Sequence, residues 1–160
     1  FILDNEMFHH ILQEQNIYWN DDLPFMSIYL INKINLMNSI DNKFTISEVF
    51  KNKDDKKFAI DLLEKTIDNT NYFDNIIVKY AKNWDLDRIA KMDILLIKMS
   101  LTEILEFNEM PIKVTFNEYL EISKYYSTEN SRVFINGILD KIVFDFNKNG
   151  KINKVGRGLV

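Results

Sequence analysis

Apolar residues recur at intervals of three and four along almost the whole chain, the spacing that gathers them on one face of a helix. The pattern predicts six helices. The first covers about 2–16 (Leu3, Met7, Phe8, Ile11, Leu12) and the second about 22–38 (Leu23, Met26, Leu30, Ile31, Ile34). Residues 39–53 are polar and loop-like, although Thr45 to Glu48 has the form of a capping box. A long helix follows over about 54–82 (Phe58, Leu62, Ile67, Phe73, Ile76, Ile77, Tyr80). The fourth runs over about 86–107 through Ile89, Met92, Leu96 and Met99, with Asp85 or Asp87 as its expected cap. Pro111 suits the first turn of a fifth helix reaching about 126. The sixth spans about 130–146 (Phe134, Ile138, Leu139, Ile142, Phe146) and is ended by Asn149-Gly150.

An ungapped shift of 65 residues superposes 2–38 on 67–103 and matches eight residues, among them Trp19 with Trp84 and Asp22 with Asp87. Amphipathic helices match one another cheaply, so the paired Trp-x-x-Asp carries most of the case for a duplicated helix-turn-helix unit. The expected organisation is an N-terminal helical subdomain over 1–50, a helical bundle over 54–146 and a basic tail over 147–160.

Composition supports an all-α fold. The 160 residues are 46% hydrophobic, enough for one domain or two small subdomains, while four Gly and two Pro give a turn-rich β-fold little to work with. No run of apolar residues is long enough to span a membrane, and there is no basic start of a signal peptide. The absence of cysteine removes disulfides and thiol chemistry and fits a cytoplasmic setting. The chain opens on Phe1 with no initiator Met, so further residues upstream are expected.

A net charge of −4 argues against a nucleic-acid partner only as an average. Residues 83–160 hold eleven bases and eleven acids, so the whole excess of negative charge lies in residues 1–82. The last 14 residues contain Lys148, Lys151, Lys154 and Arg157 and no acid.

Catalytic and metal chemistry find no footing. Asp145, Asn147, Asn149 and Gly150 imitate the start of an EF-hand loop, but Gly156 stands where the bidentate Glu belongs and three lysines intervene. His9 and His10 point about 100° apart on a helix and cannot share an ion unaided. No phosphate loop, nucleophile elbow or triad can be composed from the residues present. Neither a metal nor a cofactor is expected, and the chain reads as a binding module, not an enzyme.

Three segments in fixed order are more specific: NWDLDRIAKMDILLIKMSLTEILEF from Asn83, MPIKVTFNEYLEISKYYS from Met110, and SRVFINGILDKI from Ser131. Together they closely resemble the C-terminal half of NusB proteins. The ending GKINKVGRGL and the stretch from Tyr18 onward are similar to a longer bacterial variant of that family. The resemblance implies two packed three-helix bundles, the N-terminal one atypical here. It also implies binding to the single-stranded boxA element of ribosomal RNA leader transcripts, pairing with the small-subunit ribosomal protein NusE, and work within the RNA polymerase antitermination complex.

Candidate RNA contacts gather at the turn between the last two helices: Lys124, Tyr126, Asn130, Arg132 and Phe134. Rings stack unpaired bases and cations hold phosphates, each stack contributing roughly 1–3 kcal/mol. Tyr126 and Phe134 match the family's RNA-contacting aromatics, Asn130 stands where the family often has Asp, and Lys98 falls at a position associated with RNA or partner contact. Asp87 and Asp93 match the acidic positions implied for the protein partner, Asp93 as an exposed or half-buried carboxylate. Asn117 and Glu118 are expected to make polar contacts at a bundle seam, Gly137 to admit a close helix neighbour, and Trp84 and Met92 to lie in the core.

One departure from the family matters. Its N-terminal helix is Arg-rich, whereas residues 1–20 contain neither Arg nor Lys. Two alternatives follow: a helical scaffold that binds protein but has lost RNA binding, and an accessory domain of a ribosomal RNA methyltransferase. The latter enzyme needs a Gly-rich α/β domain and a catalytic Cys, and the chain contains neither.

Overall fold

A computed structural model describes residues 5–37, 50–81 and 88–155. Among them the chain is all-α, with seven helices and no strand: α1 (Glu6–Gln15), α2 (Trp19–Met37), α3 (Lys53–Asp68), α4 (Thr70–Tyr80), α5 (Lys91–Glu106), α6 (Ile112–Tyr126) and α7 (Ser131–Lys148). They divide into two compact units, residues 1–51 and 52–160. Trp84, Asp85, Asp87 and the expected capping box at Thr45–Glu48 lie outside the described residues.

In the first unit, Asn5 caps α1 by accepting the Phe8 N–H at 3.0 Å, and Glu6 puts negative charge at the positive end of the helix dipole. The extended backbone of Asn16 stops the helix. Its side chain accepts the Tyr18 N–H and turns the chain into α2. That helix starts at Trp19, earlier than the pattern predicts, so Asp21 and Asp22 fall inside its first turn. Leu23 is buried, whereas Ile28, Ile31 and Ile34 each leave more than half of their surface exposed.

The second unit is built around α5, which packs against α3, α4, α6 and α7. From Leu96 to Leu105 none of its residues is exposed, and the buried set includes the polar Ser100, Thr102 and Glu103 beside the apolar Leu96, Ile97, Leu101 and Ile104. Ile97, Leu101, Phe73, Ile77, Ile135, Leu139 and Ile142 form the centre of the core, each stabilising the fold by roughly 1.5–3 kcal/mol. Met92 packs against this core, as expected.

The long helix predicted over 54–82 is two helices. At Asn69 the side-chain amide donates to the Lys65 carbonyl at 2.8 Å, and Thr70 Oγ1 donates to the Thr66 carbonyl at 3.0 Å. The Asn69 N–H also donates to the Lys65 carbonyl, at 3.1 Å, and the chain bends at this residue into α4. The start of α5 also differs from expectation: Lys91 is its first residue and Ala90 stands at the cap without a side-chain hydrogen bond.

Asn117 and Glu118 are exposed, so they do not make the seam contact expected of them. Thr115 and Tyr119, on the inner face of α6, make it instead to buried Glu103. The imitation of an EF-hand also dissolves, because Asp145 to Lys148 are still helical and Gly150, at φ 63°, closes α7 in the left-handed conformation. Residues after it run back along the core. Lys154 Nζ donates to the Glu103 and Phe107 carbonyls at 3.2 and 2.9 Å, capping the C-terminal end of α5, and the Val155 N–H donates to the Asn108 carbonyl. Lys154 is thus a helix cap and not a free phosphate contact. Lys151 stands over the Phe146 ring at 5.0 Å.

No helix among the described residues is long and apolar enough to cross a membrane. Among the same residues no group of three His, Asp or Glu side chains is placed to hold a metal ion, and His10 faces Glu14.

Candidate nucleic-acid interface

Along α7, Phe134, Ile138, Lys141 and Asp145 follow one another at intervals of three and four, and Gly137 stands three residues after Phe134 and four before Lys141, which places them on one face of the helix. Opposite them lies the last turn of α4, with Lys79 and Tyr80. The Tyr80 hydroxyl donates to Asp145 Oδ2 at 2.8 Å and ties the two helices together. Burial, then that hydrogen bond, raises the Tyr80 pKa above the usual phenol value, which keeps the donor protonated. Between the helices is a cleft of about 770 Å3, within the range of about 300–1,000 Å3 typical of ligand sites.

Gly137 does not admit a neighbouring helix, contrary to the expectation from sequence. A Cβ placed there would meet nothing within 4 Å, because the residue opens onto the cleft. Phe134 is half-buried against the core and also borders a second, smaller cleft of about 240 Å3. Asn130 borders both clefts, and Arg88, exposed, lines the second. A ring, two lysines and an amide therefore surround a partly apolar hollow, a chemistry that suits an unpaired base and its phosphates.

The corner between α6 and α7 is held from below by α5. Asp93 is only 4% exposed, and its carboxylate accepts hydrogen bonds from the Ser127 hydroxyl and from Ser131 Oγ, the latter at 2.8 Å. Ser131 Oγ in turn accepts the Thr128 N–H at 3.1 Å. Asp93 is therefore not the surface carboxylate that the sequence led us to expect.

Of the residues singled out from sequence, the structure brings Asn130 and Phe134 together and adds Lys79, Tyr80 and Lys141, which sequence reasoning missed. Lys141 carried a signal, since it stands seven residues after Phe134 on the same helix face; Lys79 and Tyr80 come from another helix and carried none. Arg132 is exposed but lies two residues from Phe134, about 200° around the helix. Lys124 is exposed and pairs with Glu121, and Tyr126 is half-buried at the end of α6. Neither lines the cleft. Lys98 borders a separate apolar hollow between α3 and α5 and pairs with Asp74 at 2.7 Å.

The chain matches the NusB family profile over residues 25–144. It is 44% identical over 105 residues to the transcription antitermination protein NusB of Salinibacter ruber, covering 66% of each chain. To the protein of the same name from Chloroherpeton thalassium it is 40% identical over 105 residues, covering 66% of this chain and 50% of that one. With that of Thermodesulfovibrio yellowstonii it shares 46% identity over 92 residues, 58% of this chain and 61% of the relative. The chain thus spans between half and two thirds of these relatives' lengths. A solved structure of T. maritima NusB superposes with a TM-score of 0.57 at 34% identity, over 62% of this chain and 70% of that one.

Proposed function

The chain belongs to the NusB family, and on that footing we propose that it is a cytoplasmic transcription antitermination factor that binds single-stranded boxA-type RNA of ribosomal RNA leader transcripts together with ribosomal protein NusE. The observation that carries the RNA reading is the cleft between α4 and α7, where Phe134, Asn130, Lys79 and Lys141 converge. In this reading the Phe134 ring stacks a base, Asn130 hydrogen-bonds a base edge, and the two lysines hold flanking phosphates. Arg88, exposed beside the second cleft, extends the cationic surface, and Arg132, exposed on another side of α7, is available to a strand that wraps the corner. Tyr126 and Lys124 lie at the end of the helix that leads into the same corner.

Titration of a labelled boxA RNA, alone and with NusE, tests the reading. Binding that weakens steeply with salt and tightens when NusE is present supports it. Capture of NusE with no RNA bound in either mixture would instead identify a protein scaffold.

A further inference from the structure

We propose that Asp93 is a positioning residue for RNA binding: from beneath the corner it fixes the N-terminal turn of α7 so that Asn130 and Phe134 are held ready for ligand. The inference rests on the RNA reading given above and adds to it a residue that touches no RNA.

Asn130 occupies the N-cap of α7, the place where an Asn side chain ordinarily turns back to accept one of the helix's first N–H groups. Here it makes no such bond, and its backbone is already helical, at φ −86° and ψ −10°. The task of fixing the turn has passed to neighbouring residues. Ser131 Oγ receives the Thr128 N–H and lies 2.8 Å from Thr128 Oγ1 and 2.9 Å from Ser127 Oγ. Both Ser127 and Ser131 direct a hydroxyl hydrogen at Asp93. Asp93 itself sits in the first turn of α5, the helix on which the whole second unit is packed. One carboxylate therefore joins the end of α6 and the start of α7 to the central helix of the second unit.

The consequence is a division of labour at the corner. Because Asp93 and the two serines satisfy the turn from the inside, the Asn130 amide is left facing both clefts, and Phe134, one turn further along α7, shares that setting. Burial also excludes Asp93 from direct contact with phosphate, which its charge would repel. Its influence on RNA must pass through the residues it holds.

A double-mutant cycle measures that influence. Asn130 is exposed and uncapped, so Asn130→Ala leaves the fold intact and removes only the group facing RNA. Asp93→Ala leaves two serine hydroxyls without their acceptor. Asp93→Asn keeps a carbonyl acceptor and offers an amide that a rotated serine hydroxyl accepts. With boxA RNA as the probe, Asp93→Ala should weaken binding about tenfold, Asp93→Asn no more than about threefold, and Asp93→Ala should cost much less once Asn130 is already Ala. Amide exchange, read without RNA, should speed up at residues 128–134 in Asp93→Ala while residues 97–104 of α5 keep their protection.

An equal loss in both Asn130 backgrounds, or exchange that rises uniformly through α5, would mean that Asp93 only stabilises the fold and would overturn the proposal. Failure of the unsubstituted protein to bind RNA removes the function itself, and the positioning role falls with it. The two failures are distinguishable because only the second is seen before any substitution is made.

Discussion

The Tyr119 hydroxyl donates to Glu103 Oε2 at 3.1 Å, joining α6 to a carboxylate that is 95% removed from solvent inside α5. Thr115 Oγ1 donates to the other oxygen at 2.7 Å, so both oxygens of the buried acid are occupied. A charge so deep in a helical core is retained only when hydrogen bonds replace its water.

That pairing makes stability sensitive to alkali. Burial first, then the charge and hydrogen bond of Glu103, raises the Tyr119 pKa far above the usual phenol value of 10.0, and Tyr80 is raised for like reasons. Between the unfolded and folded pKa values the native state holds more protons, so this stabilisation is complete below about pH 10 and is lost as pH rises beyond it. Lys154 acts in the opposite sense, since burial lowers its pKa and relieves a cost as pH rises towards 10.5. The tyrosines begin to act near pH 10 and continue above 10.5, where the Lys154 contribution is complete. Urea unfolding above about pH 10.5 should show a falling stability that is shallower in Tyr119→Phe, which at neutral pH should itself lose about 1 kcal/mol.

Gly137→Ala should stabilise the protein. The site is in the interior of α7 with open space where the Cβ would stand, so the substitution gains helix propensity without a clash. A gain of about 0.5–1 kcal/mol in thermal or chemical unfolding is expected. A larger side chain, Gly137→Leu, should keep the fold but weaken RNA binding by filling the cleft.

Lys154→Met separates a structural cation from a ligand-binding one. Its ammonium caps α5, so replacement should cost about 1 kcal/mol of stability. The salt dependence of RNA binding should stay unchanged, because this charge is turned inward.

Much of the fold was legible in the sequence because α5, α6 and α7 each carry a clear apolar period and a recognisable start or stop. The break at Asn69 was not, since the stripe from Leu62 to Phe73 runs through it undisturbed. Asn69, whose side-chain amide donates back to the Lys65 carbonyl, marks the break without interrupting the apolar pattern. Asn130 and Phe134 could be singled out from the family's pattern. Tyr80 could not, because its meeting with Asp145 is made by tertiary packing of α4 on α7. Asp93 misled for a related reason: an acid beside an apolar position is usually exposed, and its partners Ser127 and Ser131 are brought to it by the fold alone.

The most direct test of the RNA-binding cleft is the slope of log affinity for boxA RNA against log salt concentration, in the unsubstituted protein and in the double variant Lys79→Gln, Lys141→Gln. If the two ammoniums hold phosphates of a single strand, the slope should become shallower by about 0.7 for each, together with a clear loss of affinity at low salt. An identical slope and affinity in the double variant would contradict the placement of RNA between α4 and α7.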